Sequence, residues 1–162
     1  MEMGLDERIL RFARTRGHGP RRERAVSRFS RLGEHGAVWL ALGAAGCALD
    51  PPRRSRWARA TGVVAGTFAL NTALKLLVRR PRPELAGLPA LTSTPTQLSF
   101  PSAHASTSFA GARLYMRLGL PSRPLYALAA SLAASRLYLG VHYPSDILAG
   151  ALLGTAVAVV TR

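Results

Sequence analysis

One stretch near the end of the chain combines residue types that carry out proton and phosphate chemistry. Residues 135–146 read SRLYLGVHYPSD and bring Arg136, His142 and Asp146 into surroundings that are almost entirely apolar. An ionisable side chain near a bilayer centre costs roughly 2.5 to 3.5 kcal/mol, so such residues normally line a cavity, pair or react. If a helix begins near Pro144, the carboxylate can hold one imidazole nitrogen and leave the other free to attack. A capping or core histidine beside a solvated aspartate fits this stretch alone equally well.

Two other polar clusters interrupt the apolar runs of the chain. Residues 75–82 (KLLVRRPR) close one run, and residues 102–104 (SAH) open the next. Arg136 closes a third run and His142 precedes a fourth. Because successive helices of an antiparallel bundle alternate in direction, we expect all these clusters to meet at the same end of the bundle.

The residues gathered at that end suit a phosphate-like anion. Lys75, Arg82 and Arg136 supply positive charge, and the arginine fork matches phosphate oxygens in two-point contacts. A helix start at Ser102 and Ala103 adds backbone N–H groups that favour an anion. The sequence therefore predicts a site that binds a phosphoryl group.

Two histidines supply the reactive groups of the predicted site. His142 would attack phosphorus in line with the leaving oxygen, and His104 would protonate the departing alcohol. By residue type alone, the two histidines and Asp146 also match the ligands of a zinc site. The adjacent cations would repel a metal ion, so we predict neither a metal nor a cofactor.

The composition separates a basic N-terminal region from an apolar remainder. The chain has 162 residues, a formal net charge of +14 and a mean hydropathy of +0.12, with arginines crowded into residues 1–35. A basic protein of this size suits nucleic acid or an anionic membrane surface. The apolar runs favour the membrane, and without interleaved aromatic residues we predict no nucleic-acid partner. The single Cys47 excludes an internal disulfide.

The periodicity predicts one all-α domain over residues 1–162, an integral-membrane helical bundle in the plasma membrane. A basic amphipathic helix over residues 5–16 suits the headgroup layer. About five transmembrane helices are expected within residues 36–162, the first being the least secure: 36–49, 60–78, 102–118, 125–139 and 147–160. A soluble helical bundle is the alternative, but several of these helices are apolar nearly all round.

Small residues within two of the predicted spans indicate helix packing faces. Gly62 and Gly66 form such a pair in the second span, and Gly150, Gly154 and Ala158 repeat along the last. In the loop before the second span, Trp57 is predicted to be an anchor at the membrane interface. The arginines leave open which membrane face the site opens to, because different loops argue for opposite orientations.

The three clusters together resemble the signature of the type-2 phosphatidic acid phosphatase and vanadium haloperoxidase superfamily. The matching residues are Lys75-x6-Arg82-Pro83, Pro101-Ser102-Ala103-His104 and Ser135-Arg136-x5-His142-x3-Asp146. The resemblance implies a phosphohistidine intermediate on His142, with Asp146 as its orienting partner and His104 as the general acid. It implies phosphate binding by Lys75, Arg82, Ser102, Ala103 and Arg136. Ala103 stands where the family usually has glycine, and its methyl group should still let the backbone N–H face phosphate.

The short chain and residues 88–101 also resemble small bacterial members that act on decaprenylphosphoryl-5-phosphoribose in arabinan precursor synthesis. The resemblance therefore implies a metal-independent lipid phosphate phosphatase whose partners are its lipid phosphate substrate and membrane lipids. Undecaprenyl diphosphate, phosphatidic acid and phosphatidylglycerophosphate remain competing substrates. A non-catalytic membrane protein that binds anionic lipid is the alternative of another class. Haloperoxidase chemistry belongs to larger soluble relatives.

Overall fold

The computed structural model describes residues 4–161, and this part of the chain is helical. Apart from two isolated bridges, Pro81 with Leu98 and Leu85 with Leu88, it contains no strand. The prediction of an all-α fold is confirmed for these residues. The α-helices are α1 (Leu5–Thr15), α2 (Pro20–Arg31), α3 (Ala37–Leu49), α4 (Arg54–Val78), α5 (Ala103–Met116), α6 (Ser122–Tyr138) and α7 (Pro144–Val160). Short 3-10 turns, Glu34–Gly36 and Pro51–Arg53, precede α3 and α4.

Helix α5 lies at the centre of the bundle, and α7 packs directly against its backbone. A Cβ atom built on Gly150 would lie 2.5 Å from the carbonyl oxygen of Ser102, and one built on Gly154 would lie 2.0 Å from that of Ser106. Ala158 is fully buried on the same face. The packing face predicted on the last helix is therefore confirmed. Only residues without larger side chains allow this close approach of the two helices.

Helix α3 is fixed to α5 by two aromatic side chains that pair their polar atoms. Trp39 is fully buried, and its Nε1 donates to Ser108 Oγ at 2.9 Å. The hydroxyl of Tyr115 donates to the carbonyl oxygen of Trp39 at 2.8 Å. The indole of Trp39 lies against Gly111, where a Cβ would approach it to 2.5 Å. These contacts hold the helix that carries His104.

Two expectations about the second predicted span are wrong. Trp57 is 4 % exposed rather than an interfacial anchor, because Gly46 leaves room for its ring between α3 and α4. Its Nε1 donates to Asp50 Oδ2 at 3.0 Å. Cβ atoms built on Gly62 and Gly66 would meet nothing within 4 Å, so these glycines form no packing face within this chain.

Only part of the predicted membrane topology follows from the helix lengths. Among residues 4–161, one helical stretch, Pro51–Val78, is long and apolar enough to cross a membrane. The pair Pro20–Arg31 and Glu34–Leu49 reaches that length together but is bent by 43°. Helix α7 is apolar but has 17 residues, fewer than the roughly 20 that a crossing usually takes. The count of five spans therefore stays a prediction.

The N-terminal helices pack on the bundle end that carries the polar clusters. On α1, Leu10 is fully buried and Arg14 is 4 % exposed, while Phe12 is 57 % exposed. Arg14 Nη2 donates to the carbonyl oxygen of Pro89 at 2.6 Å. Helix α1 thus has one face on the protein and an exposed apolar face, where the guanidinium group of Arg16 lies 4.5 Å from the centre of the Phe12 ring. Its location in the headgroup layer stays a prediction.

Candidate active site

A cavity of about 260 Å³ lies at the end of the bundle where the three motifs meet. Its walls include these predicted site residues: Lys75, Arg82, Ala103, His104, Arg136 and His142. Ser102 and Asp146 are fully buried and do not line the cavity. The structure therefore brings six predicted residues from distant parts of the chain to one space and places the other two outside its walls.

His142 lies in the turn between α6 and α7 and is 3 % exposed. Its Nε2 is 3.2 Å from Arg82 Nη1. Because a guanidinium only donates, this contact requires a lone pair on Nε2, which is the form of the ring that can attack phosphorus. Burial, and then the positive charges of Arg82, Arg136 and Lys75, lower the pKa of His142 to about 3, although Asp146 acts to raise it. The imidazole is therefore neutral at neutral pH.

Asp146 approaches the other nitrogen of His142 without completing a hydrogen bond. Its Oδ2 lies 3.5 Å from His142 Nδ1, and Nδ1 has no hydrogen-bond partner among the described residues. The same oxygen accepts the backbone N–H of Tyr143 at 2.8 Å, and Oδ1 accepts from Arg80 Nη1 at 2.9 Å. The carboxylate is thus fixed by the helix start and by Arg80, close to the ring that it was predicted to orient.

Lys75 faces the cavity, but its ammonium group is already engaged. Nζ lies 3.0 to 3.1 Å from the carbonyl oxygens of Leu98, Ser99 and Pro101. Three donors are all that an ammonium group has. Lys75 therefore brings its charge to the cavity while holding in place the segment that leads into α5. Direct phosphate binding by this side chain stays a prediction and requires it to release a carbonyl oxygen.

The two arginines of the cavity differ in how many of their N–H groups already have a hydrogen-bond acceptor. Arg82 donates from Nε to the carbonyl oxygen of Thr96 at 2.8 Å and from Nη1 to that of Val141 at 2.6 Å. Arg136 is 4 % exposed, and its Nη1 donates to Ser30 Oγ at 2.7 Å. Its Nε is buried and has no partner among the described residues. An unpaired guanidinium N–H beside a cavity is suited to an anionic ligand.

The start of α5 differs from the expected anion site at one residue. The backbone N–H of Ser102 donates to the carbonyl oxygen of Asp146 at 3.0 Å, so it is not available to phosphate in this arrangement. Ser102 Oγ is buried without a partner among the described residues. Ala103 does line the cavity. Its methyl group is accommodated, and its place in the wall is compatible with the predicted phosphate contact.

Sequence reasoning missed a group of contacts that comes from α1. Asp6 Oδ2 accepts from Arg80 Nη2 at 2.9 Å and from the hydroxyl of Ser145, and Asp6 Oδ1 accepts the backbone N–H of Ser145 at 3.0 Å. Arg80 also lies 4.1 Å from the centre of the Tyr143 ring. Arg80 thus joins Asp6 to Asp146. Its position inside the first motif was the one available signal.

Sequence reasoning also missed Ser30, at the end of α2. Its carbonyl oxygen lies 2.9 Å from His104 Nε2, and its hydroxyl accepts from Arg136 and from Ser135 Oγ at 3.0 Å. Ser30 is 1 % exposed. The residue type of Ser30 gives no sign of its contact with His104, because that contact uses a backbone oxygen that every residue has.

A second and larger cavity adjoins the first at Arg82. It has a volume of about 830 Å³ and is lined by most of residues 81–94 together with Gln97, Gly140 and Val141. Polar side chains, including Glu84 and Ser93, share its walls with apolar ones. A substrate whose phosphate occupied the smaller cavity would have space for its remaining headgroup here.

Comparison with known families decides what kind of protein carries this geometry. Residues 56–162 match the PAP2 superfamily. The chain belongs to the PAP2 superfamily. A curated relative, the decaprenylphosphoryl-5-phosphoribose phosphatase of Mycolicibacterium smegmatis, is 44 % identical over 131 residues, which cover 78 % of this chain and 68 % of the relative. The predicted family is confirmed, and so is the prediction that the chain is a phosphatase.

Solved PAP2 structures share the fold of the chain. LpxE of Aquifex aeolicus aligns with a TM-score of 0.82 and 23 % identity, covering 99 % of this chain and 96 % of that one. A transmembrane PAP2-type phosphatidylglycerolphosphate phosphatase from Bacillus subtilis aligns with a TM-score of 0.75 and 22 % identity, covering 96 % and 82 %. At these identities the likeness shows a shared arrangement of helices and does not indicate the substrate of this chain.

Proposed function

We propose that this PAP2 phosphatase hydrolyses the phosphomonoester of a polyprenyl-linked lipid through a phosphohistidine intermediate, with decaprenylphosphoryl-5-phosphoribose as its substrate. The observation that carries the proposal is the cavity shared by His142, His104, Arg82 and Arg136. The relative that is 44 % identical supplies the substrate by its name. The adjoining cavity of about 830 Å³ has room for a sugar beside the scissile phosphate.

In the proposed reaction His142 Nε2 attacks phosphorus and the bond to the leaving oxygen breaks. His104 gives its proton to that oxygen, so the alcohol departs neutral and a phosphohistidine remains. Water then attacks phosphorus, His104 takes a proton from the water, and His142 is released with free phosphate. Arg82 and Arg136 hold the charge on the equatorial oxygens throughout. Arg82 lies 3.2 Å from Nε2, where it can contact an oxygen of the group under attack.

Membrane association is supported by the apolar stretch Pro51–Val78, and we propose that the chain crosses the membrane several times, with α1 in the headgroup layer. Exposed leucines support a lipid-facing bundle: Leu148 and Leu152 on α7 are each 63 % exposed, and Leu77 on α4 is 77 % exposed. Exposure of a leucine side chain to water is unfavourable, whereas lipid tails are as apolar as the side chain itself. In this arrangement the cavity lies near the headgroups.

The test is phosphate release by purified protein in detergent with EDTA present. The substrates are decaprenylphosphoryl-5-phosphoribose, undecaprenyl diphosphate, phosphatidic acid and phosphatidylglycerophosphate at equal concentrations. We expect the highest kcat/KM for the pentose phosphate lipid and no loss in EDTA. A preference for another lipid would overturn the proposed substrate, and loss of activity in EDTA would overturn the metal-independent mechanism. Lipid binding without turnover would favour the non-catalytic alternative.

A further inference from the structure

The end of α2 and the turn after it, residues 30–33, pack directly on His104. The carbonyl oxygen of Ser30 is 2.9 Å from His104 Nε2. A Cβ atom built on Gly33 would lie 2.6 Å from His104 Cδ2. The imidazole is thus held at one edge by a hydrogen bond and at its side by a residue without a side chain. These residues precede the part of the chain that matches the family.

The carbonyl contact fixes which nitrogen of His104 can reach a substrate. A carbonyl oxygen only accepts, so the hydrogen between the two groups belongs to Nε2. His104 lines the cavity, and Nδ1 is the nitrogen that the contact with Ser30 leaves for a ligand. Because Ser30 takes the hydrogen of Nε2, donation to a ligand from Nδ1 requires a second hydrogen on the ring, at that nitrogen. This doubly protonated ring is the form that can donate to a leaving oxygen.

We propose that residues 30–33 are a positioning element of the active site, which aims His104 Nδ1 at the leaving-group oxygen through the Ser30 carbonyl and the small Gly33. The proposal rests on the proposed role of His104 as the general acid. Ser30 has a second task that is separable from the first. Its hydroxyl accepts from Arg136 Nη1 at 2.7 Å, so it orients a predicted phosphate ligand as well.

The proposal predicts a defect that depends on the leaving group. An alkoxide needs a proton as the bond to phosphorus breaks, whereas nitrophenolate departs without one, and general acid catalysis typically contributes 10²-fold or more. We expect Gly33→Ala to displace the ring and to lower kcat/KM about 10²-fold for an alkyl phosphate lipid, but less than about 3-fold for p-nitrophenyl phosphate. His104→Asn removes the proton donor, so it should show the same contrast between the two substrates. The size of the contrast in this variant is the largest that Gly33→Ala can reach.

Two other variants separate positioning from a general loss of structure. Gly62→Ala is the matched control, because a Cβ there meets nothing within 4 Å, and it should leave both rates unchanged. Ser30→Ala keeps the carbonyl but removes the hydroxyl partner of Arg136. It should raise KM several-fold for both substrates and keep the wild-type ratio between them.

The outcome is read from the ratio of the two rates in each variant that retains the wild-type thermal unfolding temperature in detergent. Equal losses on both substrates in Gly33→Ala would overturn the proposal, and so would a wild-type ratio in that variant. If Gly33→Ala does not fold, the tautomer of His104 in the wild-type protein decides, read by nitrogen NMR in detergent: a hydrogen on Nε2 is expected, and a neutral ring with its hydrogen on Nδ1 would overturn the proposal. A wild-type protein that hydrolyses neither substrate would instead contradict the proposed function, so the two failures are distinguishable.

Discussion

The helices that carry the motifs and the N-terminal region contribute to the same site by different means. Residues 56–162 match the family and contain all the predicted catalytic and phosphate-binding residues, while the walls of the cavity also include Glu34 and His35. Residues 4–36 supply a backbone carbonyl, a hydroxyl, a glycine and the Asp6 carboxylate. The first set performs the proposed chemistry, and the second holds parts of it in place.

This difference teaches that spacing in sequence reveals reactive groups more readily than it reveals their supports. Histidine and arginine in an apolar chain are costly, so their presence is informative by type alone. A serine carbonyl group or a glycine can lie at the surface without an energetic penalty, so its presence in the sequence does not indicate a role. Its role depends on which residues pack against it in the fold. Variants of the reactive residues should therefore lower activity more than variants of the residues that support them.

The largest effect is expected at the nucleophile. His142→Ala removes the nitrogen that forms the covalent intermediate, and we expect kcat to fall at least about 10³-fold with the fold retained. Phosphate release from the lipid substrate and thermal unfolding in detergent are the two measurements. A variant with more than a tenth of wild-type activity would remove His142 from the mechanism.

A smaller effect is expected at Arg80, which lies within the first motif but lines neither of the two cavities described above. Arg80→Gln removes the charged partner of Asp146 Oδ1 and the link to Asp6. We expect kcat to fall about 10-fold to 10²-fold, in the range found for residues that orient a reactive group. Arg79→Gln is the matched control, because Arg79 is exposed and adjacent. Equal activities of the two variants would show that the contact with Asp146 has no catalytic consequence.

The N-terminal counterpart of that variant is Asp6→Asn. The carboxylate accepts from Arg80 and from Ser145, and the variant keeps its size while removing its charge. We expect a loss of about 3-fold to 10-fold in kcat, and a loss in the Asp6 and Arg80 double variant that is smaller than the product of the single losses. Glu7→Gln is the control, since Glu7 is 40 % exposed and its ion pair with Arg11 spans 3.9 Å. Multiplicative losses would mean that α1 and Arg80 act independently.

The same contrast explains how much of the molecule could be predicted. The helices and the meeting of the three motifs follow from apolar periodicity, alternation of direction and the cost of charge. The burial of Trp57 could not be predicted, because it depends on the space that Gly46 leaves on another helix. Ser30 and Asp6 were missed for a related reason: their contacts reach across 74 positions in the sequence, and no local pattern reports such a pairing. For Gly62 and Gly66, spacing alone predicted packing that the fold does not use within this chain.

The smallest expected effect is a change in the pKa of His142. It separates the electrostatic contribution of residues 56–162 from the positioning contribution of residues 4–36. Burial and nearby cations lower the pKa of His142 to about 3, so the ring is neutral across the neutral range and charges only in strong acid. Arg82→Gln removes a positive charge beside the ring and should raise this pKa, whereas Asp6→Asn should leave it unchanged. Both are measured by an NMR titration of the His142 ring in detergent. A wild-type pKa near the ordinary 6.5 would contradict the buried, cation-lined nucleophile, and equal shifts in the two variants would remove the distinction between the two regions.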